Sequence, residues 1–234
     1  MKTILSLATL YLLLSGVPAL ADEVNKAVPD FEARHKACLE EISDDAEQAY
    51  ENAMIWQSQG GGRRARHCVA MTLFALGHAD ESAFRLDKLA KSPDGGSPAM
   101  RAGYYVEAAD MWINANLPRN AYDSATAGLE IAKSNVDLRI ARARAYAAMG
   151  RWDYAEIDLS NALGYEPNNA RALRYRADAR KRQNKLTLAK ADIDKAMVYD
   201  GQNVDTLLVR GEINEAIRLA KVESSKTSDS AQTP

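Results

Sequence analysis

Histidine and cysteine offer the most chemistry in this chain, and four of these five side chains come as two pairs, His35-x-x-Cys38 and His67-Cys68, with His78 alone. Imidazole and thiolate are the donors that hold zinc and related ions. Helical residues three apart share a face, so His35 and Cys38 can converge, whereas adjacent residues such as His67 and Cys68 diverge by about 100°. That divergence counts against a metal site, and the oxidising compartment to which the leader described below points would let Cys38 and Cys68 pair, so a disulfide is expected, with two free buried thiols or a metal site as alternatives. Closing such a loop would stabilise the fold by about 3–4 kcal/mol on the chain-entropy estimate.

Beyond these pairs, catalytic patterns are missing. There is no serine elbow, glycine-rich phosphate loop or His-x3-His metal pair. The adjacent carboxylates Glu40-Glu41 and Asp44-Asp45 are read as surface and cap residues, because an acid at a helix start already has a role. The expectation is a protein that is not an enzyme and carries no cofactor. Charge is more informative. Between Arg171 and Lys190 stand eight basic residues (Arg171, Arg174, Arg176, Arg180, Lys181, Arg182, Lys185, Lys190) against Asp178 alone, in a chain of net charge −2. Arg139, Arg142, Arg144 and Arg151 add four more with no acid among them.

The elements that carry these residues follow from an internal repeat. Residues 136–169 laid onto 170–203 match in chemistry: Ala143, Ala155 and Ala162 fall on Ala177, Ala189 and Ala196, Tyr165 on Tyr199 and Asn169 on Asn203. Sliding backward adds residues 102–135, with Ala121 on Ala155, Gly128 on Ala162 and Leu129 on Leu163. A fixed period of 34 residues marks stacked supersecondary units. Each unit reads as two helices, in the central one 138–149 and 153–163, turning at Gly150-Arg151. Ahead of the strict period, helical spacing predicts helices over 30–42, 45–57, 63–76 and 81–91, and turn residues predict a loop at 92–98.

The run Tyr146-x3-Gly150-Arg151-Trp152-Asp153-Tyr154-Ala155-x3-Leu159-x2-Ala162-Leu163-x3-Pro167-Asn168-Asn169 resembles the tetratricopeptide repeat. The resemblance covers residues 102–219 well and 30–91 weakly; Arg139, Leu173 and Leu207 stand where the pattern often has Trp, and Gly201 replaces the linking Pro. It implies an all-α helical solenoid of about five hairpins with a C-terminal capping helix. It also implies that the first helix of each unit lines a concave surface for partner peptides. On that surface spacing would place Asp137, Ile140, Arg144 and Ala148 in one unit, and Arg171, Arg174, Asp178, Lys181 and Arg182 in the next. A basic wall is expected, suited to an acidic segment of another protein because the arginine fork pairs carboxylates bidentately; a merely solvated charged face is the alternative. Nucleic acid is not the expected partner, since the basic run lacks interleaved aromatics. The family's grip on C-terminal carboxylates does not carry over, because Asp178 stands where an Asn belongs.

The remaining expectations concern address and ends. Lys2, the apolar stretch 4–17 and Ala19-Leu20-Ala21 read as a secretory signal peptide cleaved after Ala21, too short in its apolar run to span a bilayer, which points to the periplasm. The expected organisation is a leader at 1–21, divergent hairpins at 22–91, a loop at 92–101, the regular array with its cap at 102–222 and a disordered tail at 223–234. Glu212, Asn214, Glu215 and Arg218 give the cap a polar outer side. The functional expectation is a periplasmic protein-binding scaffold in envelope assembly or secretion. A self-associating structural subunit, and less so a metal-binding protein or enzyme using the Cys/His pairs, are the alternatives. Composition leaves the oligomeric state open.

Overall fold

The computed structural model describes residues 30–230, and the expected leader lies outside them. Among the described residues there are eleven helices and no strands: α1 (Phe31–Asp44), α2 (Ala46–Ser58), α3 (Gly62–Ala75), α4 (Ala79–Lys91), α5 (Pro98–Asn114), α6 (Pro118–Ile131), α7 (Val136–Ala148), α8 (Trp152–Tyr165), α9 (Ala170–Arg182), α10 (Leu186–Asp200) and α11 (Val204–Ser230). They pair into five hairpins, with α11 closing the array.

Period and local chemistry agree at the helix starts. Asn135, Asn169 and Asn203, one repeat apart, each turn a side-chain oxygen to an orphan amide, of Leu138 at 2.8 Å, Ala172 at 2.9 Å and Thr206 at 3.2 Å. Such a cap contributes about 1 kcal/mol over an alanine. Asp30 caps α1 and Asp45 caps α2 in the same way. Asn116, Gly150 and Asn184 hold the turn inside their hairpins at φ of 58°, 73° and 59°. Glycine enters that left-handed region freely, and asparagine enters it more readily than other side chains.

Small residues bring the helices together. Ala121, Ala155 and Ala189 are buried in successive units, as are Ala143 and Ala177. Gly128 shares its register position with the buried Ala162 and Ala196, yet a Cβ there would stand 2.6 Å from Leu138 Cδ2 and 3.0 Å from Tyr105 Cβ. The side chains of Leu138 and Tyr105 take the space a methyl would need, so an alanine would overpack the contact.

Each second helix packs on the next first helix, and neighbouring first helices also touch, with the thinnest contact between α3 and α5. Second helices make no comparable contact with one another. The array therefore curves with its first helices inside.

Much of the basic cluster lies within the packing. Arg142 clasps Asp158 through Nε and Nη2 at 2.7 and 2.8 Å, and one repeat on Arg176 clasps Asp192 at 2.8 Å through both. Both carboxylates are buried, and Arg180 adds a third bond to Asp192 at 2.7 Å. The hydrogen bond to Asp158 raises the pKa of Arg142 above its ordinary value against the cost of burial.

Glu156 of α8 is a second internal junction, reached by Arg180 Nε at 2.8 Å, Gln183 Nε2 at 3.0 Å and Lys185 Nζ at 2.7 Å. Burial pushes its pKa up, but the bonds from Lys185, Arg180 and Gln183 prevail and hold it at about 2. A depressed carboxylate stabilises the fold above its unfolded pKa, and that contribution is lost as pH falls through the folded value. Glu156→Gln is therefore expected to lower the melting temperature at neutral pH and to flatten its decline between roughly pH 4.5 and 2. Thermal melts of both proteins across that range provide the check.

Two boundaries differ from expectation. The loop is shorter, 92–97, because Pro98 opens α5 behind the Ser97 cap, and proline suits the first helical position. The expected tail from 223 is helical through Ser230: no Gly or Pro follows Gly211 before the end of α11 to stop it. Helix α11 does expose Asn214, Glu215 and Arg218, but Glu212, expected on the outer side, turns to Lys181 on the preceding first helix, and Val204, Leu207, Leu208 and Leu219 are exposed as well. Leu208 shares its register position with the buried Ile140 and Arg174, and among the described residues no further first helix covers it.

Candidate functional site: the concave wall and its N-terminal end

The inner wall carries charges in rows one repeat apart. Asp110, Arg144, Asp178 and Glu212 form one row, and Asp137, Arg171 and Asp205 form another. Arg144 pairs with Asp110, and Arg171 pairs with Asp137. Lys181 pairs with Asp178 at 2.7 Å and also with Glu212. Arg174 reaches Asp205 at 3.3 Å and Asn203 Oδ1 at 2.7 Å, while Arg182 stands 3.8 Å from Asp178. Mixed sign along the array replaces the expected basic wall, because Arg144, Arg171, Arg174 and Lys181 each meet an acid that is distant in sequence but adjacent in space, and Arg182 meets Asp178 on its own helix.

Accessibility separates the six candidate groove residues further. The side chains of Arg171 and Arg182 are 44% and 55% exposed, and that of Arg144 is 25% exposed. Those of Arg174 and Lys181 are only 8% and 11% exposed. Arg174 is thus a packing residue rather than part of a free wall, as is the buried Ile140; their shared position lies between successive first helices. Asp178 is tied up by Lys181 and Arg182. Tyr175 lies between two guanidinium groups, Arg174 at 5.0 Å and Arg144 at 5.6 Å from its ring centre, and Arg182 lies 5.4 Å from the Trp152 ring. Glu107, Asp110, Tyr175 and Glu212 are wall residues that reading along the chain missed; laying charges on the 34-residue register would have found the two mixed-charge rows.

At the N-terminal end the two Cys/His pairs divide their roles. Cys38 and Cys68 are joined in a disulfide with Cα atoms 6.4 Å apart, which fastens α1 to α3. The histidines beside them meet each other. His35 Nε2 lies 2.9 Å from His67 Nδ1, and His67 Nε2 lies 2.8 Å from Glu107 Oε2 on α5. A carboxylate only accepts, so His67 carries its proton on Nε2 and presents the Nδ1 lone pair to His35. Burial lowers the pKa of His35, with further lowering from the neighbouring His67. Glu32 lies three residues before His35 and is held by Arg64 Nε at 2.7 Å. Tyr104 covers His67 at 5.2 Å between ring centres. This chain of contacts bridges α3 and α5, where first helices touch least. His78 is apart and exposed at the start of α4.

On the convex side, a cleft of about 460 Å³ is lined by Phe84, Asp87, Lys88, Lys91, Trp112 and Ser124, among others. Burial raises the pKa of Asp87 against the hydrogen bonds from Trp112 and Ser124.

No family model matches the sequence, and no curated protein matches it. Solved structures do. The chain is similar to the first TPR (tetratricopeptide repeat) domain of human RPAP3, at 26% identity and a TM-score of 0.50, over 55% of this chain and 99% of that one. It is also similar to TTC0263, a TPR protein of Thermus thermophilus, at 16% identity and a TM-score of 0.60, over 80% of this chain and 98% of that one. The chain has the fold of a tetratricopeptide-repeat solenoid. A further likeness, to the Sgt2 TPR domain from Aspergillus fumigatus, has 21% identity and a TM-score of 0.50, over 57% of this chain and 85% of that one. In this TPR-like array Tyr146, Ala155 and Leu159 build the unit, and its surface carries the charge ladder at one end and the His–His–Glu chain at the other.

Proposed function

We propose that this TPR solenoid is a protein-binding scaffold whose concave wall holds a segment of a partner. The observation that carries the reading is the continuous inner wall of first helices, with reachable charged groups at Arg171, Arg182, Asp137 and Asp205. Curved helical repeats supply extended binding surfaces of this kind. The partner segment we envisage bears carboxylates that compete with Asp137 for Arg171 and with Asp178 for Arg182. Salt would weaken such exposed contacts. The leader expected at residues 1–21 and the Cys38–Cys68 bond, suited to an oxidising compartment, support a place in the periplasm and work in envelope assembly or secretion.

The double charge reversal Arg171→Glu/Arg182→Glu is expected to abolish capture of an acidic partner segment from envelope extract, with little change in melting temperature because both side chains are largely exposed. Undiminished capture would remove these arginines from the site. A second reading, self-association through the C-terminal end, is favoured by the exposed Val204, Leu207, Leu208 and Leu219 of α11. Light scattering separates it from the first: a concentration-dependent mass, lost in Leu208→Glu, would support it.

A further inference from the structure

We propose that His35 and His67 are the donor pair of a binding site for a tetragonal divalent transition-metal ion, Cu2+ or Ni2+, with Glu107 orienting His67. Two imidazole nitrogens from different helices already face each other at 2.9 Å. Two nitrogen ligands about 2.0–2.1 Å from one ion, in adjacent square-planar positions, stand about 2.9 Å apart, while a tetrahedral ion would need about 3.3 Å. The observed spacing is that of an N–H···N hydrogen bond, and a tetragonal ion asks for the least change in it when both rings turn their lone pairs inward.

The protonation pattern suits the same role. Glu107 keeps the His67 proton on Nε2 at 2.8 Å, so Nδ1 is the ligating atom; this is the carboxylate–histidine–metal arrangement that fixes a ring and raises its basicity. In the ligand-free state His35 donates its Nε2 proton to that lone pair, and moving the proton to Nδ1 through solvent frees a second donor. The two rings are held without the metal's help. The disulfide sits three residues after His35 and one after His67, so α1 and α3 are already fastened at this level.

Glu32, three residues before His35, is paired with Arg64, so the two charges offset each other beside the site. Among the described residues no set of three His, Cys, Asp or Glu side chains is arranged to hold a metal ion. The protein thus supplies two donors, and the remaining positions go to water or to an exogenous group.

The test uses tag-free, disulfide-intact protein titrated with Cu2+ against a glycine competitor, followed by electron paramagnetic resonance. One equivalent should bind, with hyperfine coupling from two imidazole nitrogens. His35→Gln and His67→Gln should each weaken binding at least 100-fold, and Glu107→Gln by about 10–100-fold. His78→Gln should leave it unchanged. Wild-type affinity in the His35→Gln/His67→Gln double variant would overturn the proposal. So would a wild-type spectrum without two-imidazole coupling, a readout that needs no variant to fold.

Discussion

Asp192→Asn is expected to destabilise the array by about 3–5 kcal/mol, measured as a shift of the urea midpoint at neutral pH. The native carboxylate is 6% exposed and accepts two bonds from Arg176 and one from Arg180. An amide of the same shape loses the charge, offers one acceptor oxygen in place of two and turns an NH2 group toward a guanidinium. Arg176 is then left without its counter-charge at a largely buried site, while Arg180 keeps Glu156, and the uncompensated Arg176 dominates the cost. Asp158→Asn, where Arg142 is the clasping arginine, should cost less. If burial rather than the pair as such is responsible, Arg176→Met/Asp192→Leu should recover most of the loss, since apolar replacements of a buried pair are often neutral. A cost below about 1 kcal/mol for Asp192→Asn would show that water compensates the arginines.

Removing the disulfide is the second large effect. Cys38→Ser/Cys68→Ser, or reduction of the native protein, is expected to destabilise the N-terminal end by about 3–4 kcal/mol, because the bond closes a loop between residues 30 apart in sequence. The loss should be local. Helix α1 packs on α2 and α3, far from the regular array, and a quasi-linear stack transmits stability mainly between neighbours. Hydrogen exchange should show α1 opening first, with α7 to α10 protected as before. Uniform loss of protection would mean that the array is more cooperative than nearest-neighbour packing implies. The disulfide variant should also lower affinity at the His35/His67 pair, since the bond holds the two helices that carry it.

How far the sequence reached depended on whether an interaction lay within the repeat or across it. The period exposed the hairpins, and the alanines at 143, 155 and 162 named the close contacts, because small size at a fixed interval has one use in stacked helices. The asparagines at 135, 169 and 203 were visible as matching residues, and their role as caps is a local matter of one side chain and the third amide beyond it. The cysteine pairing was likewise legible as the favoured alternative.

The charged wall was another matter. Arg171 to Arg182 is a basic run along the chain, but helical geometry sends successive side chains to different faces, and the third dimension gave all but Arg182 a companion outside the run: Asp137 for Arg171, Asp205 for Arg174, Asp192 for Arg176, Glu156 for Arg180 and Glu212 for Lys181. Counting charge along a run adds what the fold separates. The same holds at the other end, where the divergence of His67 and Cys68 argued against a shared metal site, while the meeting of His35 with His67 depends on how α1 lies on α3. By itself the sequence determined the unit, its period and its caps, since these rest on contacts within a few residues or on composition repeated every 34. Only the tertiary structure decided which charges are neutralised, which arginines stay within reach of a partner and which imidazoles converge, because those depend on distances between helices that one-dimensional spacing does not contain.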